Sequence, residues 1–575
     1  MQFKILQLVF LFAICSAANA ATLNKQVRSL DWWQHASFYQ IYPRSFKDSN
    51  NDGIGDLQGI IEKLDHFTDA VVDAVWLSPI FKSPQVDQGY DISDYRDVDP
   101  DYGTMDDLKE LIQKAHAKKI KVILDFVPNH TSDKHQWFID SVNGVEEYRD
   151  YYVWANAKVD DDGNRVPPNN WISNFKNSAW TWSEERQQYY LHQFAPAQPD
   201  LNYRNPKVVQ AMKDVLTFWL DQGVDGFRVD AIPHLVENEE LLDEPKSNIP
   251  GYNDTDYEYL DHIYTKDLPE TFDMVYQWRQ LLDDYTNKNG GDSRIFMTEA
   301  YSDINHTMLY YGSADGSQLG AHFTFNFYLI TDININSTAQ DIANTVNKWL
   351  DAIPEIYTSN WVLGNHDKHR VATRFGVANA DGFNMLKSLL PGVAVTYNGE
   401  EIGQENGEVS YEEGQDPSAR DPAIFDKVSR DFERTPYQWD DSTNAGFNTG
   451  AKPWLPVSEK YVETNLKKEK ADPVSHFKVY KALAQLRANP TLISGDVTVK
   501  AVDEYTVLIK RSLNGSSLAL VFNVGNDTAT VDIAEDVSKS NKIVLTNVDS
   551  SRDTGSTVDP SNLKLEAHEA LILSF

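Results

Sequence analysis

Residues 205–230 read NPKVVQAMKDVLTFWLDQGVDGFRVD. Asn205-Pro206 opens a helix, since Asn is a favoured N-cap and proline suits the first turn, where its missing N–H costs nothing. Val208, Ala211, Met212, Val215, Leu216 and Trp219 fall on one stripe, and Gly223 closes the helix. Immediately after it, Gly226–Asp230 alternates with period two. Phe227 and Val229 take one face, Arg228 and Asp230 the other. A helix that runs at once into a short buried strand is one unit of an α/β repeat.

The same rhythm extends both ways. Strands are expected at Phe38–Tyr42, Ala74–Leu77, Lys121–Phe126, Gly226–Asp230, Arg294–Thr298, His322–Phe327, Trp361–Gly364 and Val393–Tyr397, with helical stripes between them. Thr104 and Asp107 look like a capping pair before the stripe of Leu108, Leu111, Ile112 and Ala115. Strand and helix alternating about eight times predicts an α/β fold, a parallel (β/α)8 TIM barrel. The barrel is expected over residues 21–129 and 203–487. A Trp-, Asn- and Pro-rich segment, 130–202, breaks the rhythm and reads as a subdomain inserted after the third strand. Beyond 487, alternation as in Tyr505–Lys510 and Leu518–Phe522, broken by Asn/Gly turns, predicts an all-β C-terminal domain over 488–575, a β-sandwich.

Composition narrows the function. The chain has 575 residues, 52 Lys+Arg against 86 Asp+Glu and a formal charge of −34, which disfavours nucleic acid or an anionic membrane as partner. Residues 1–20 read as a signal peptide: Lys4, an apolar run from Ile5 to Ile14, then Ala18-Asn19-Ala20 as the cleavage site. The apolar run is shorter than the ~20 residues of a membrane span, so no membrane anchor is expected. Cys15, the lone cysteine, lies in that segment, so the mature protein is expected to contain none. Sequons at Asn253, Asn305, Asn336, Asn514 and Asn526 suit a secreted glycoprotein.

Asp48–Asp56 (DSNNDGIGD) sets Asp48, Asn50, Asp52, the Ile54 carbonyl and Asp56 at the alternating oxygen positions of an EF-hand-like calcium loop, with Gly53 at the turn. The terminal glutamate is missing, since Gly59 stands there, and a solvated Asn/Asp/Gly turn has the same spacing. Such a Ca2+ would be structural, because the loop offers no nucleophile or acid. No organic cofactor is expected.

In a parallel barrel the chemistry sits at the C-terminal ends of the strands. Asp230, Glu299, the pair His366-Asp367, and Asp125 with Asn129-His130 all follow strand candidates. Arg228, two residues before Asp230, would keep that carboxylate ionised; desolvation at Glu299 would raise its pKa, as a general acid needs. Two such carboxyls beside aromatic residues suggest glycoside chemistry. If they stand about 5–5.5 Å apart, the mechanism retains configuration.

Four blocks in order, Asp125–His130 (DFVPNH), Gly226–His234 (GFRVDAIPH), Phe296–Ala300 (FMTEA) and Gly364–Asp367 (GNHD), closely resemble the α-amylase family, glycoside hydrolase family 13. The likeness runs from about Trp33 to the C-terminus. Gln198–Asn202 (QPDLN), Tyr39–Phe46 and Arg434–Trp439 resemble its oligo-1,6-glucosidase and α-glucosidase branch, and the secretion signal is most similar to secreted insect maltases. The resemblance implies Asp230 as nucleophile, Glu299 as acid/base and Asp367 as transition-state stabiliser, helped by His130 and His366. Arg228 would orient Asp230, Tyr90 would stack under the terminal glucose, and Asp87 with Arg434 would close the pocket beyond it. It also favours calcium at Asp48–Asp56.

Ala231 resembles the α-1,4-preferring members; the α-1,6-preferring ones carry valine there. The implied protein is a secreted, exo-acting α-glucosidase of gut lumen or saliva, acting on maltose, sucrose and short α-glucosides. Two other readings share this apparatus: a transglycosylase or sucrose isomerase, and a catalytically silent binding or receptor protein like the amino-acid-transporter heavy chains. The sequence leaves the oligomeric state open.

Overall fold

The computed structural model describes residues 29–575; the expected signal peptide and Cys15 lie outside them. Eight parallel strands form the barrel: β1 (Ser37–Ile41), β2 (Ala74–Leu77), β3 (Lys121–Phe126), β4 (Gly226–Val229), β5 (Ile295–Thr298), β6 (Phe323–Thr324), β7 (Asn360–Val362) and β8 (Val393–Tyr397). Their order in the sheet is β6-β5-β4-β3-β2-β1-β8-β7. Every expected strand is present, but β6 and β7 are shorter than their apolar runs. Phe325 and Phe327 instead turn into the rim, stacking on each other at 5.5 Å.

Both faces of the strands are buried, and their residues sort alternately. Phe38, Trp76, Ile123, Ile295 and Met297 join one apolar cluster, while Tyr39, Val75, Val122, Leu124, Phe227 and Phe296 join another with the surrounding helices. Gly226 is required where β4 meets β5: a Cβ there would lie 2.2 Å from the Ile295 carbonyl oxygen.

The helix Pro206–Asp221 has its Asn205 cap on the Lys207 amide, and it buries Val208, Met212, Val215, Leu216, Trp219 and Leu220. Trp219 lies flat on Phe81 at 4.7 Å. The Thr104–Asp107 pair forms a reciprocal capping box at the start of the helix Met105–Ala117.

After β3 the chain builds a small three-stranded antiparallel sheet from Trp154–Ala155, Gln188–Leu191 and Trp180–Ser183. Beyond a short helix, Pro490–Ser494, a five-stranded antiparallel sheet begins at Asp496, faced by the pair Ala529–Val531 and Leu563–Leu565. It docks through Phe522, which packs edge-on against Phe383 at 5.6 Å.

One joint of the barrel is unusual. β6 and β7 are not paired by backbone hydrogen bonds in the sheet. The Asn360 side chain spans the gap, donating to the Thr324 carbonyl (2.6 Å) and to the Tyr311 hydroxyl oxygen (3.1 Å) and accepting from the Asn326 amide (2.8 Å). Asn360→Leu, similar in size, leaves the buried Asn326 N–H without its acceptor and takes from the Thr324 carbonyl its amide donor, and is expected to lower the unfolding free energy by about 2–4 kcal/mol. Denaturant unfolding checks this; a variant as stable as the parent would show that the seam does not depend on the amide.

Candidate active site

The site lies at the C-terminal ends of β3, β4, β5 and β7, as the register requires: Arg228 on β4 is level with Asp125 on β3 and Met297 on β5. Arg228 is buried, its guanidinium over the Trp76 ring at 5.0 Å. One nitrogen donates to both Asp125 oxygens (2.9 and 3.1 Å) and to Asp230 (2.5 Å). The other reaches Glu299 at 2.9 Å. Thus the arginine expected to serve Asp230 serves three acids.

Directly after Asp230 the backbone turns sharply. Ala231 sits in the left-handed region (φ 47°, ψ 32°), a strained position for a residue with a Cβ. The turn aims the Ala231 N–H at Glu299, 3.0 Å away, so the two carboxyls are held from the same few atoms of β4.

Burial raises both carboxyls and Arg228 opposes it, but unequally: Glu299 is pushed up to about 8 and Asp230 to about 7. Sharing one guanidinium and lying side by side, the two carboxyls titrate as a pair. Asp125, also raised by burial against Arg228, stands at about 6.

Asp367 is the opposite case. Burial works against its charge, yet His366, Arg430 and Arg434 outweigh it and hold the carboxyl well below the usual range. Arg434 donates to it at 2.8 Å and Arg430 at 3.2 Å.

Here the structure corrects one expected pairing. Asp87 meets Arg430, at 2.9 Å, and not Arg434. Arg434 is spent on Asp367, the His366 carbonyl (2.7 Å) and Gln88 (3.2 Å). Arg430 is fixed from behind by Asp416 at 2.6 Å. Sequence reading passed over Arg430, although it lies four residues before Arg434, the spacing that puts two side chains on one helical face.

Tyr90, His130 and His366 come together beneath these acids. The Tyr90 ring stacks on His366 (5.3 Å, 4°), its hydroxyl 2.6 Å from His366 Nε2, while Gln40 donates to His366 Nδ1 at 2.8 Å. His130 Nε2 donates to the Tyr90 carbonyl at 2.9 Å. Burial lowers both histidines, His130 to about 4, so they are neutral hydrogen-bonding groups at neutral pH. The turn presenting Asp87 and Tyr90 is built by Asp91, which accepts from the Val86 and Asp87 amides and the Ser83 hydroxyl.

The Asp48–Asp56 loop lies apart from these acids. Asp48 accepts from the Asn51 and Gly53 amides and Asn448 Nδ2. Asp56 accepts from the Ser49 amide and hydroxyl and the Gly59 amide. A carboxylate offers about four lone-pair sites, so each retains capacity for a hard cation. Among the described residues no group of three or more acidic, His or Cys side chains is placed to hold a metal; an ion here needs Asn50 and the Ile54 carbonyl too.

Comparison with known proteins agrees with this geometry. The family described as "Alpha amylase, catalytic domain" matches residues 40–495. The chain belongs to the α-amylase family. It is therefore a glycoside hydrolase.

Maltase 1 of Drosophila virilis is 49% identical over 568 residues, covering 96% of this chain and 90% of its own length. The salivary alpha-glucosidase of Anopheles gambiae is 45% identical over 560 residues, covering 96% and 94%. Among solved structures, the alpha-glucosyl transfer enzyme XgtA superposes with a TM-score of 0.84 at 35% identity, covering 95% of this chain and 100% of XgtA.

Arg228→Lys tests the shared guanidinium. A compact ammonium cannot span three carboxylates, so Asp230 and Glu299 lose stabilisation of their charged forms and ionise at higher pH. The pH profile of hydrolytic kcat/KM is expected to move upward on both limbs, with kcat reduced by about a hundredfold or more. Unmoved limbs would sink the assignment.

Proposed function

We propose that the protein is a secreted, exo-acting α-glucosidase that releases terminal non-reducing α-1,4-linked glucose from maltose, sucrose and short oligosaccharides. The observation that supports this reading is the Asp87–Arg430–Asp367 bridge, which ties the Asp87 turn to the carboxyl of Asp367 and would close that side of the pocket. A pocket closed beyond the bound sugar takes a chain end and not a chain interior. The names of the insect relatives support the same activity.

The mechanism proposed is retaining double displacement. An Asp230 oxygen bonds to C1 as the C1–O bond breaks, and Glu299 passes its proton to the leaving oxygen. Water then attacks C1, Glu299 takes back a proton, and Asp230 departs as carboxylate. Burial that raises the Glu299 carboxyl suits it to the acid/base role. Asp367, kept anionic by Arg430 and Arg434, would accept hydrogen bonds from the 2- and 3-hydroxyls, and the neutral imidazole of His366, whose Nδ1 accepts from Gln40, would donate from Nε2 to the same sugar, while His130, its one N–H given to the Tyr90 carbonyl, would hold Tyr90 in place beside it.

The small Ala231 side chain beside the nucleophile supports α-1,4 over α-1,6 preference. A glucose-release panel of maltose, sucrose, isomaltose and starch tests the whole reading: maltose and sucrose are expected to lead in kcat/KM, and a strong isomaltose preference would defeat the linkage assignment.

Glucosyl transfer is a second reading, favoured by the likeness to XgtA. Equal release of glucose and fructose from sucrose would favour hydrolysis. Secretion is supported by the salivary relatives and by five sequon asparagines that are all exposed. Among the described residues no helix is long and apolar enough to cross a membrane.

The Asp48–Asp56 loop is proposed to take Ca2+ as a structural ion, which would neutralise three crowded carboxylates. Stripping it with chelator is expected to lower Tm by several degrees, with recovery on adding Ca2+. A Tm indifferent to chelator and to Ca2+ would remove the ion from the account.

A further inference from the structure

His366 and Asp367 ride on a short loop whose two feet are Leu363, just past the end of β7, and His369, just before the helix Val371–Phe375. Inside the loop, Asn365 accepts from the Asp367 amide (2.9 Å) and donates to the Tyr301 hydroxyl (3.0 Å). The two feet share one partner. Arg374 donates through Nε to the His369 carbonyl (3.0 Å) and through Nη2 to the Leu363 carbonyl. Its Nη1 points at the Leu329 and Ile330 carbonyls (3.3 and 3.5 Å), in the segment that follows β6.

This guanidinium has no carboxylate within hydrogen-bonding reach. Among the described residues every acceptor it meets is a main-chain carbonyl. Burial lowers its pKa to about 10, so it is charged at neutral pH. Keeping a desolvated cation without a counter-charge costs free energy, and an apolar side chain would fill the space more favourably. What a guanidinium alone supplies is a planar fork whose N–H groups point in fixed, different directions. The fork is itself held still. Its helix packs through Phe375 on Phe383 at 4.1 Å. Asn406 accepts from the Arg370 amide (2.9 Å) and donates from its own amide to the Thr373 hydroxyl (2.8 Å).

We propose that Arg374 is a positioning residue for Asp367: by holding both feet of the loop, it fixes where that carboxylate meets the sugar. The assignment rests on the α-glucosidase reading, in which Asp367 accepts from the 2- and 3-hydroxyls. Arg374 acts through the backbone, since the groups that chiefly hold Asp367 ionised are His366, Arg430, Arg434 and Arg228. A shift of about 1 Å in such a group costs on the order of a hundredfold in rate.

The 2-hydroxyl supplies the test. p-Nitrophenyl α-glucoside and its 2-deoxy analogue share a leaving group, and only the first offers Asp367 that hydroxyl. The ratio of their kcat/KM values, glucoside over deoxyglucoside, is expected to fall about tenfold in Arg374→Lys and further in Arg374→Met. A general loosening of the fold lowers both substrates together and leaves the ratio unmoved. Asp367→Asn calibrates the scale and is expected to show the larger fall. Hydrogen exchange gives a second readout without substrate. Amides of residues 365–368 are expected to exchange about tenfold faster in Arg374→Lys, while those of β4 keep the wild-type rate.

With the ratio reduced in Asp367→Asn, an unchanged ratio in the folded Arg374 variants overturns the assignment. Loop amides that exchange at the wild-type rate overturn it as well. So does loss of the fold in both variants, followed by circular dichroism, since Arg374 is then a residue of stability. If Asp367→Asn leaves the ratio unmoved while the loop amides exchange faster in Arg374→Lys, the clamp stands and the reading of Asp367 as the hydroxyl acceptor falls.

Discussion

The site is organised around a single cation. Three buried carboxyls, Asp125, Asp230 and Glu299, converge on the Arg228 guanidinium, and without it their burial would be prohibitive. Sharing also divides the charge unevenly. Asp125 takes two contacts and Asp230 the shortest one, while Glu299 has one contact and an amide. Two chemically similar carboxyls are thereby both raised by burial and both drawn down by one neighbour. The strand register makes this possible, because adjacent parallel strands bring Arg228 level with Asp125 and leave the residues beyond it at the mouth of the barrel.

A second cationic group repeats the device with the opposite outcome. Arg430 and Arg434 bracket Asp367 while Asp416 anchors Arg430. Here two guanidiniums reach the one carboxylate of Asp367, so it is held ionised. The pocket thus contains a carboxyl that keeps a proton and one that refuses it, each set by the ratio of guanidinium to carboxylate within hydrogen-bonding reach.

Much of this was legible in the sequence because it is local. Period-two alternation in Gly226–Asp230 and the stripe from Val208 to Trp219 depend on nearest neighbours, and so survive without knowledge of the fold. The three catalytic candidates were found because strand ends are visible as the end of an apolar run. What escaped was long-range choice. Asp87 lies more than 300 residues from both Arg430 and Arg434, and no pattern says which of the two it meets; the answer depends on Arg434 being drawn away to the His366 carbonyl and Gln88. The truncation of β6 and β7 was hidden for the same reason. Their apolar runs continue past the last ladder bond because Phe325 and Phe327 serve the rim.

The joint between β6 and β7 bears on how such a protein changes over generations. The rim residues Phe325 to Thr331 follow directly on β6, next to the one joint closed by a side chain, whereas Asp230 and Glu299 stand at the ends of strands paired to each other through four residues. A substitution at that rim therefore meets a seam held by one amide and not the ladder that carries the acids.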